Sequence, residues 1–281
     1  MSLTKWIDAA YPGTDETTIK KALEVTGATV FPVYVPGWGD PANGASVANV
    51  SAITDAGAAT FPILVPYQKT ITANELSLTG WKVGITMALK FMEDCELVPE
   101  GQPMVALDVE AGWYDANPNG SVLSIHNFAA ACASLGVTSL VYSSPACLNA
   151  VAASSGTKPD RVWAASWVDT EPTQLNPITG LNNMDWNSGG QRAWQWSGGS
   201  DQGGLTVDRS IAEFTDGCFR PAPPSAPTPT PAPTPVPTPT PAPAPPIIAD
   251  PIRQALITLK VHNPQLAQDF ADLLKALGSG L

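Results

Sequence analysis

Histidine and cysteine are scarce in this 281-residue chain, which holds two of the first and four of the second. No two cysteines form a C-x-x-C pair, so a zinc site has few ligands to draw on and no cofactor is expected. Cys95 and Cys132 sit in apolar helical stretches and read as core thiols. Basic residues are also few: 14 Lys plus Arg against 25 Asp plus Glu leave a formal net charge of -11. Such a surface repels phosphate backbones and no basic run makes a local exception, so nucleic acid is not expected as a partner. No apolar run reaches the roughly 18 residues that a membrane-spanning helix needs, so no membrane span is expected. The first residues, Met1-Ser2-Leu3-Thr4-Lys5-Trp6, hold no apolar signal region. That predicts synthesis in a host cytoplasm without a signal peptide.

Proline, by contrast, is abundant and unevenly spread. Of 29 prolines, 14 lie in residues 221–246, a stretch without one charged side chain. Alternation of Pro with Thr, Ala or Val predicts a polyproline II rod, a spacer of about 80 Å. It divides the chain into a body (1–220), the linker (221–246) and a tail (247–281). The tail balances Asp250, Asp269 and Asp272 against Arg253, Lys260 and Lys275, so the whole excess of acid belongs to the body. Asp250-Pro251 and Asn263-Pro264 each read as a helix N-cap followed by proline at the first helical position. Ile252, Leu256 and Leu259 line one of these helices, and Leu266, Phe270, Leu273, Leu274 and Leu277 line the other. Two short amphipathic helices predict a docking or self-association element, with a hairpin folded back on the body as the alternative.

Through the body, short β-rich runs alternate with helical ones, the pattern of βα units around a parallel sheet. Strands are predicted at 6–11, 29–35, 60–67, 104–109, 139–142, 162–167, 193–196 and 205–207. Helices are predicted at 15–25, 45–56, 79–96, 121–135 and 145–153. The helical signal fades after Asp169. Eight strands fit a (β/α)8 TIM-like barrel with a degenerate last quarter. A doubly wound open sheet is the alternative, but no G-x-G-x-x-G follows the first strand.

Barrel enzymes carry their chemistry at the C-terminal ends of strands. Read so, Asp8 ends strand one, Asp108 and Glu110 end strand four, and Asp208 ends strand eight. Acids at i and i+2 share a face, roughly 6.6 Å apart along the backbone. The apolar run Met104-Val105-Ala106-Leu107 ahead of them predicts burial, which favours a protonated carboxyl, the form a general acid needs. Four acids at one mouth without histidine or cysteine point to glycosidic cleavage. Tyr34, Tyr67, Trp113, Tyr142, Trp167, Trp194 and Trp196 fall at or near strand ends, where their planes could floor a sugar cleft. Gln68, Asp169 and Gln195 are lesser candidates for hydroxyl or amide contacts.

These runs resemble the successive strands of the glycoside hydrolase family 25 lysozymes: Asp8, Leu107-Asp108-Val109-Glu110, Val141-Tyr142-Ser143, Trp163-Ala164-Ala165-Ser166-Trp167, Trp194-Gln195-Trp196 and Val207-Asp208. Val33-Tyr34-Val35 and 62–68 are similar to the glycoside-hydrolase-like domain known as domain of unknown function 1906. The resemblance covers about residues 5–214. It implies a muramidase-type barrel acting on peptidoglycan, with Glu110 as general acid and Asp108 stabilising positive charge or orienting a 2-acetamido group. Asp8 and Asp208 would shape the site and tune Glu110. The chain departs from the lysozymes in Ala9-Ala10-Tyr11-Pro12 after the first acid, and in Trp167 where Tyr is usual. A wall-directed barrel on a stiff spacer suggests a bacteriophage product, with a virion tail protein favoured over a free endolysin. The expected partners are cell-wall glycan and, through 247–281, other virion proteins or a second copy. The rival expectation is a non-catalytic glycan-binding or structural protein with the same barrel.

Overall fold

Five of the six helices among the described residues begin where a Ser, Asp or Asn side chain accepts a hydrogen bond from the first helical turn, which satisfies an otherwise orphaned backbone donor. Asp15 caps α1 (Glu16–Thr26), Ser46 caps α2 (Val47–Asp55) and Ser77 caps α3 (Leu78–Asp94). Asn117 caps α5 (Pro118–Leu135) and Ser144 caps α6 (Pro145–Ala153). The exception is α4 (Ala111–Ala116), whose cap position is Glu110 and carries no side-chain cap bond. Gly27 and Gly136 end α1 and α5 in the left-handed conformation, at φ 68° and 67°.

The computed structural model describes residues 3–10, 13–39, 44–66, 77–168, 170–175, 178, 180–181 and 192–223. Tyr67, Gln68 and Asp169 lie outside the described residues, as do nearly all of the proline segment and the whole of 247–281. No helix of the described residues is long and apolar enough to cross a membrane.

Eight strands curl into one sheet. They are β1 (Thr4–Asp8), β2 (Val33–Gly39), β3 (Pro62–Val65), β5 (Met104–Val109), β6 (Thr138–Ser143), β7 (Arg161–Ala165), β8 (Arg192–Gln202) and β9 (Leu205–Ala212). The order is β1-β9-β8-β7-β6-β5-β3-β2. Backbone bonds around Val30 close the ring: Ile7 donates to Val30 at 3.1 Å, and Phe31 donates to Ala59 at 2.8 Å. All neighbours run parallel except β9, which is antiparallel to both β8 and β1. The degenerate last quarter is thus a hairpin that stands where a regular barrel would carry a helix. Its tip presses on α1, where a Cβ on Gly203 would come within 3.2 Å of the Ala22 backbone nitrogen. Two short strands, β4 (Leu97–Pro99) and β10 (Phe219–Pro221), were not foreseen; three-residue strands are too short for a periodic signal.

Alternation along each strand sorts the core. Trp6, Phe61, Ile63, Met104, Ala106, Leu140, Trp163, Ala193 and Ala212 fill the barrel interior. Their neighbours Leu64, Val105, Leu107, Val141, Val162, Trp194 and Ile211 face the helices. Ile7, Phe31, Val33 and Val207 meet α1 and α2. Trp6 is the hub of the interior: its ring meets Phe61, Phe214 and Trp163 edge-on, with centroids 5.2, 5.2 and 5.7 Å away. Truncation should leave a cavity with little room to collapse. Trp6→Ala is therefore expected to lower unfolding stability by about 3–5 kcal/mol, read from urea denaturation; a loss below about 1 kcal/mol would show that this packing matters little.

Candidate active site

Parity and strand direction together bring four carboxylates to one end of the barrel. Asp8 is the last residue of β1, and Asp108 the last inward-facing residue of β5. Glu110, two residues on, leaves the strand as the cap position of α4 and stands exposed at the rim. Asp208 arrives differently from the expectation. It does not end a rising strand; it is the fourth residue of β9, which descends, so its carboxyl lies at the mouth near the start of the strand. Antiparallel pairing sets Asp208 directly opposite Asp8.

The four acids line one recess of roughly 260 Å³, measured with its open mouth, together with Tyr34, Ile63, Tyr142, Trp163 and Gln195. No Lys, Arg or His is among the described residues that line it. Asp8 and Asp108 are 3% and 5% exposed, and Asp8 Oδ2 and Asp108 Oδ1 are buried without a hydrogen-bond partner among the described residues. Burial holds both carboxyls well above the usual carboxylate range, and repulsion among the acids adds to it. Burial also raises Glu110, with Asp208 contributing. Asp208 is raised by burial too, but less freely, since two donors oppose it: Gly199 N at 2.6 Å and Gln195 Nε2 at 3.0 Å. Burial likewise pushes up the phenols of Tyr34 and Tyr142.

The aromatic residues divide. Tyr34 and Tyr142 line the recess. Trp167 stands at the rim, 72% exposed, with its indole against Gly198, where a Cβ would sit 3.2 Å from Cζ2. Trp194 and Trp196 do not line it: a two-residue repeat that turns Gln195 inward must turn both tryptophans outward, into the layer under the helices. Trp194 donates to Ser166 O at 2.5 Å, and Arg209 lies over Trp196 at 4.1 Å. Trp113 is also buried in that layer, carried there by α4. Ile63 and Trp163 line the recess and were not foreseen. The alternation Val162-Trp163-Ala164-Ala165, with Trp163 and Trp167 in phase, was the available signal for the second.

No group of three or more His, Cys, Asp or Glu among the described residues is arranged to hold a metal ion. His126 is bound on both ring nitrogens, to Thr157 O and Ser154 Oγ at 2.7 Å each. Cys132, Cys147 and Cys218 are buried, while Cys95 at the end of α3 is only half-buried. Burial pushes the Cys147 thiol up to about 11 and Cys218 to about 12, which leaves them unreactive.

No family model matches the chain, and no curated protein matches it in sequence. Solved structures do resemble it. An uncharacterized B. stearothermophilus protein is 14% identical, over 74% of this chain and 95% of its own, with a TM-score of 0.49. A bacterial lysozyme from Streptomyces coelicolor is 16% identical over 75% and 93%, at 0.47. A family 25 glycosyl hydrolase from Bacillus anthracis is 13% identical over 75% and 89%, at 0.45. The likeness is distant, and the chain's own carboxylates are what point to a chemistry.

Carboxyls whose pKa is raised on folding take up protons as the chain folds. Their contribution to stability is complete below the ordinary Asp value near 3.9 and is lost as pH climbs toward the folded value. Asp8→Asn should remove that loss. Relative to the wild type, the variant is expected to become progressively more stable as pH rises above the ordinary Asp value in urea titrations; a difference independent of pH would contradict the raised carboxyl.

Proposed function

We propose that this chain is a glycoside hydrolase acting on bacterial cell-wall glycan, with Glu110 as the general acid. The observation that carries the reading is a raised carboxyl exposed at the rim of a recess whose deeper wall holds buried acids and aromatic rings. A proton held near neutral pH, at a place a polymer can reach, is what leaving-group protonation requires. In this reading Glu110 gives its proton to the glycosidic oxygen as the bond to C1 breaks. Water then adds at C1 and returns a proton to Glu110. Asp108, one strand step deeper, orients the 2-acetamido group or steadies positive charge at C1, and Asp8 and Asp208 shape the site and tune Glu110. The exposed face of Trp167 is suited to stack a sugar ring beside the scissile bond.

Turnover is favoured over glycan binding alone because none of the ion pairs among the described residues includes any of the four acids. Arg192 pairs with Glu213 at 3.1 Å, and Arg209 is held over Trp196. Glu110→Gln is expected to lower reducing-end release from peptidoglycan by about 10²–10⁴-fold while binding to the insoluble wall is kept. Equal release from variant and parent removes Glu110 from the role, and release from neither leaves the binding protein.

The same reading makes residues 221–246 a spacer and 247–281 a docking element for virion tail proteins or a second copy. Light scattering on the full chain is expected to give a mass above the monomer that falls to monomer when 247–281 is deleted. A monomer in both forms counts against self-association.

A further inference from the structure

Gln195 was expected to touch substrate, yet its amide has little left to offer. The residue is 2% exposed and meets three polar neighbours. Trp167 Nε1 donates to its Oε1 at 3.4 Å, Tyr142 Oη donates to the same oxygen at 2.7 Å, and its Nε2 donates to Asp208 Oδ2 at 3.0 Å. The directions follow from chemistry. An indole N–H can only donate, so the side of the amide that faces Trp167 must be the oxygen. The nitrogen then faces Asp208, which must accept. Tyr142 also meets the oxygen, so its proton is committed there, and only the lone pairs of its phenol oxygen remain for the recess. Asp208 Oδ1 takes a further donor, the Gly199 backbone N–H.

We propose that Gln195 is a positioning residue that keeps Asp208 an acceptor and Tyr142 an acceptor toward the recess, so that the ligand group seated against Tyr142 is a hydrogen-bond donor such as an amide N–H or a hydroxyl. The identity of that ligand rests on the glycan reading above; the role of the amide does not. The groups that bear on Asp208 are Asp8 from β1, Tyr34 from β2, Asp108 and Glu110 from β5 and its end, and Tyr142 from β6. None is cationic, so the two N–H donors are what favours its charged form against burial.

The role can be read without turnover by a carboxyl carbon-13 NMR titration of the full chain, with the Asp208 signal assigned through Asp208→Asn. In Gln195→Leu the Asp208 midpoint is expected to rise by about one pH unit or more. Gln195→Glu keeps the shape and should move it the same way, which guards against a leucine variant that fails to fold. On soluble peptidoglycan strands, Gln195→Leu should lower kcat about tenfold with KM within about twofold, and the acid limb of the pH profile should follow Asp208 upward. Tyr142→Phe should raise KM roughly fivefold and leave the Asp208 midpoint where it was. An Asp208 midpoint unmoved by both Gln195 variants overturns the positioning role, and an unchanged KM in Tyr142→Phe overturns the donor requirement. A wild type that releases no reducing ends sinks the hydrolase reading alone, because the titration still decides the role of Gln195.

Discussion

A β-strand must send successive side chains to opposite sides, and in a closed barrel one side is a confined interior and the other a layer shared with helices. Which side chains of a strand can reach the mouth follows from that rule. On β5 it places Met104, Ala106 and Asp108 inside while Val105, Leu107 and Val109 pack outside. On β8 it turns Gln195 in between two outward tryptophans. The lower interior is filled by rings around Trp6, so the space left for a ligand is the top, where the rising strands end and β9 begins its descent.

Four of the residues at that end are acids, and the barrel surrounds them with phenols, an indole and an amide in place of cations. Ionising all four together would set like charges within a poorly solvated space. Burial favours the protonated form most where solvation is worst, at Asp8 and Asp108, while Asp208 accepts two N–H groups that favour its charge. Glu110 lies between these extremes, raised by burial yet exposed at the rim. A graded set of carboxyls arises from depth and hydrogen bonding alone, without any change of residue type beyond one Glu among three Asp.

Much of this was legible beforehand. Helix caps rest on contacts within three residues, yet the expected start at 121 passed over Asn117, whose side chain begins α5 three residues earlier. Residues 104–109 and 145–153 were placed to the residue because each is bounded by proline or a change of period. The aromatic residues were less legible, because nearness to a strand end does not set the face: parity turns Trp194 and Trp196 outward and Trp163 into the recess. Trp113 was misplaced because α4 is too short for its face to be read from spacing.

The eight strands of the main sheet, five of the six helices among the described residues and the acidic character of the mouth were legible in the sequence, since these depend on residues within a turn or a strand of one another. Only the tertiary structure decided that β9 descends, that Asp208 faces Asp8, and that Gln195 joins Trp167, Tyr142 and Asp208. Those pairings link β1, β6 and the end of β7 to β8 and β9 across up to 200 residues. Which strand lies beside which is settled by how the sheet closes, and closure is a property of the whole ring that no local pattern encodes.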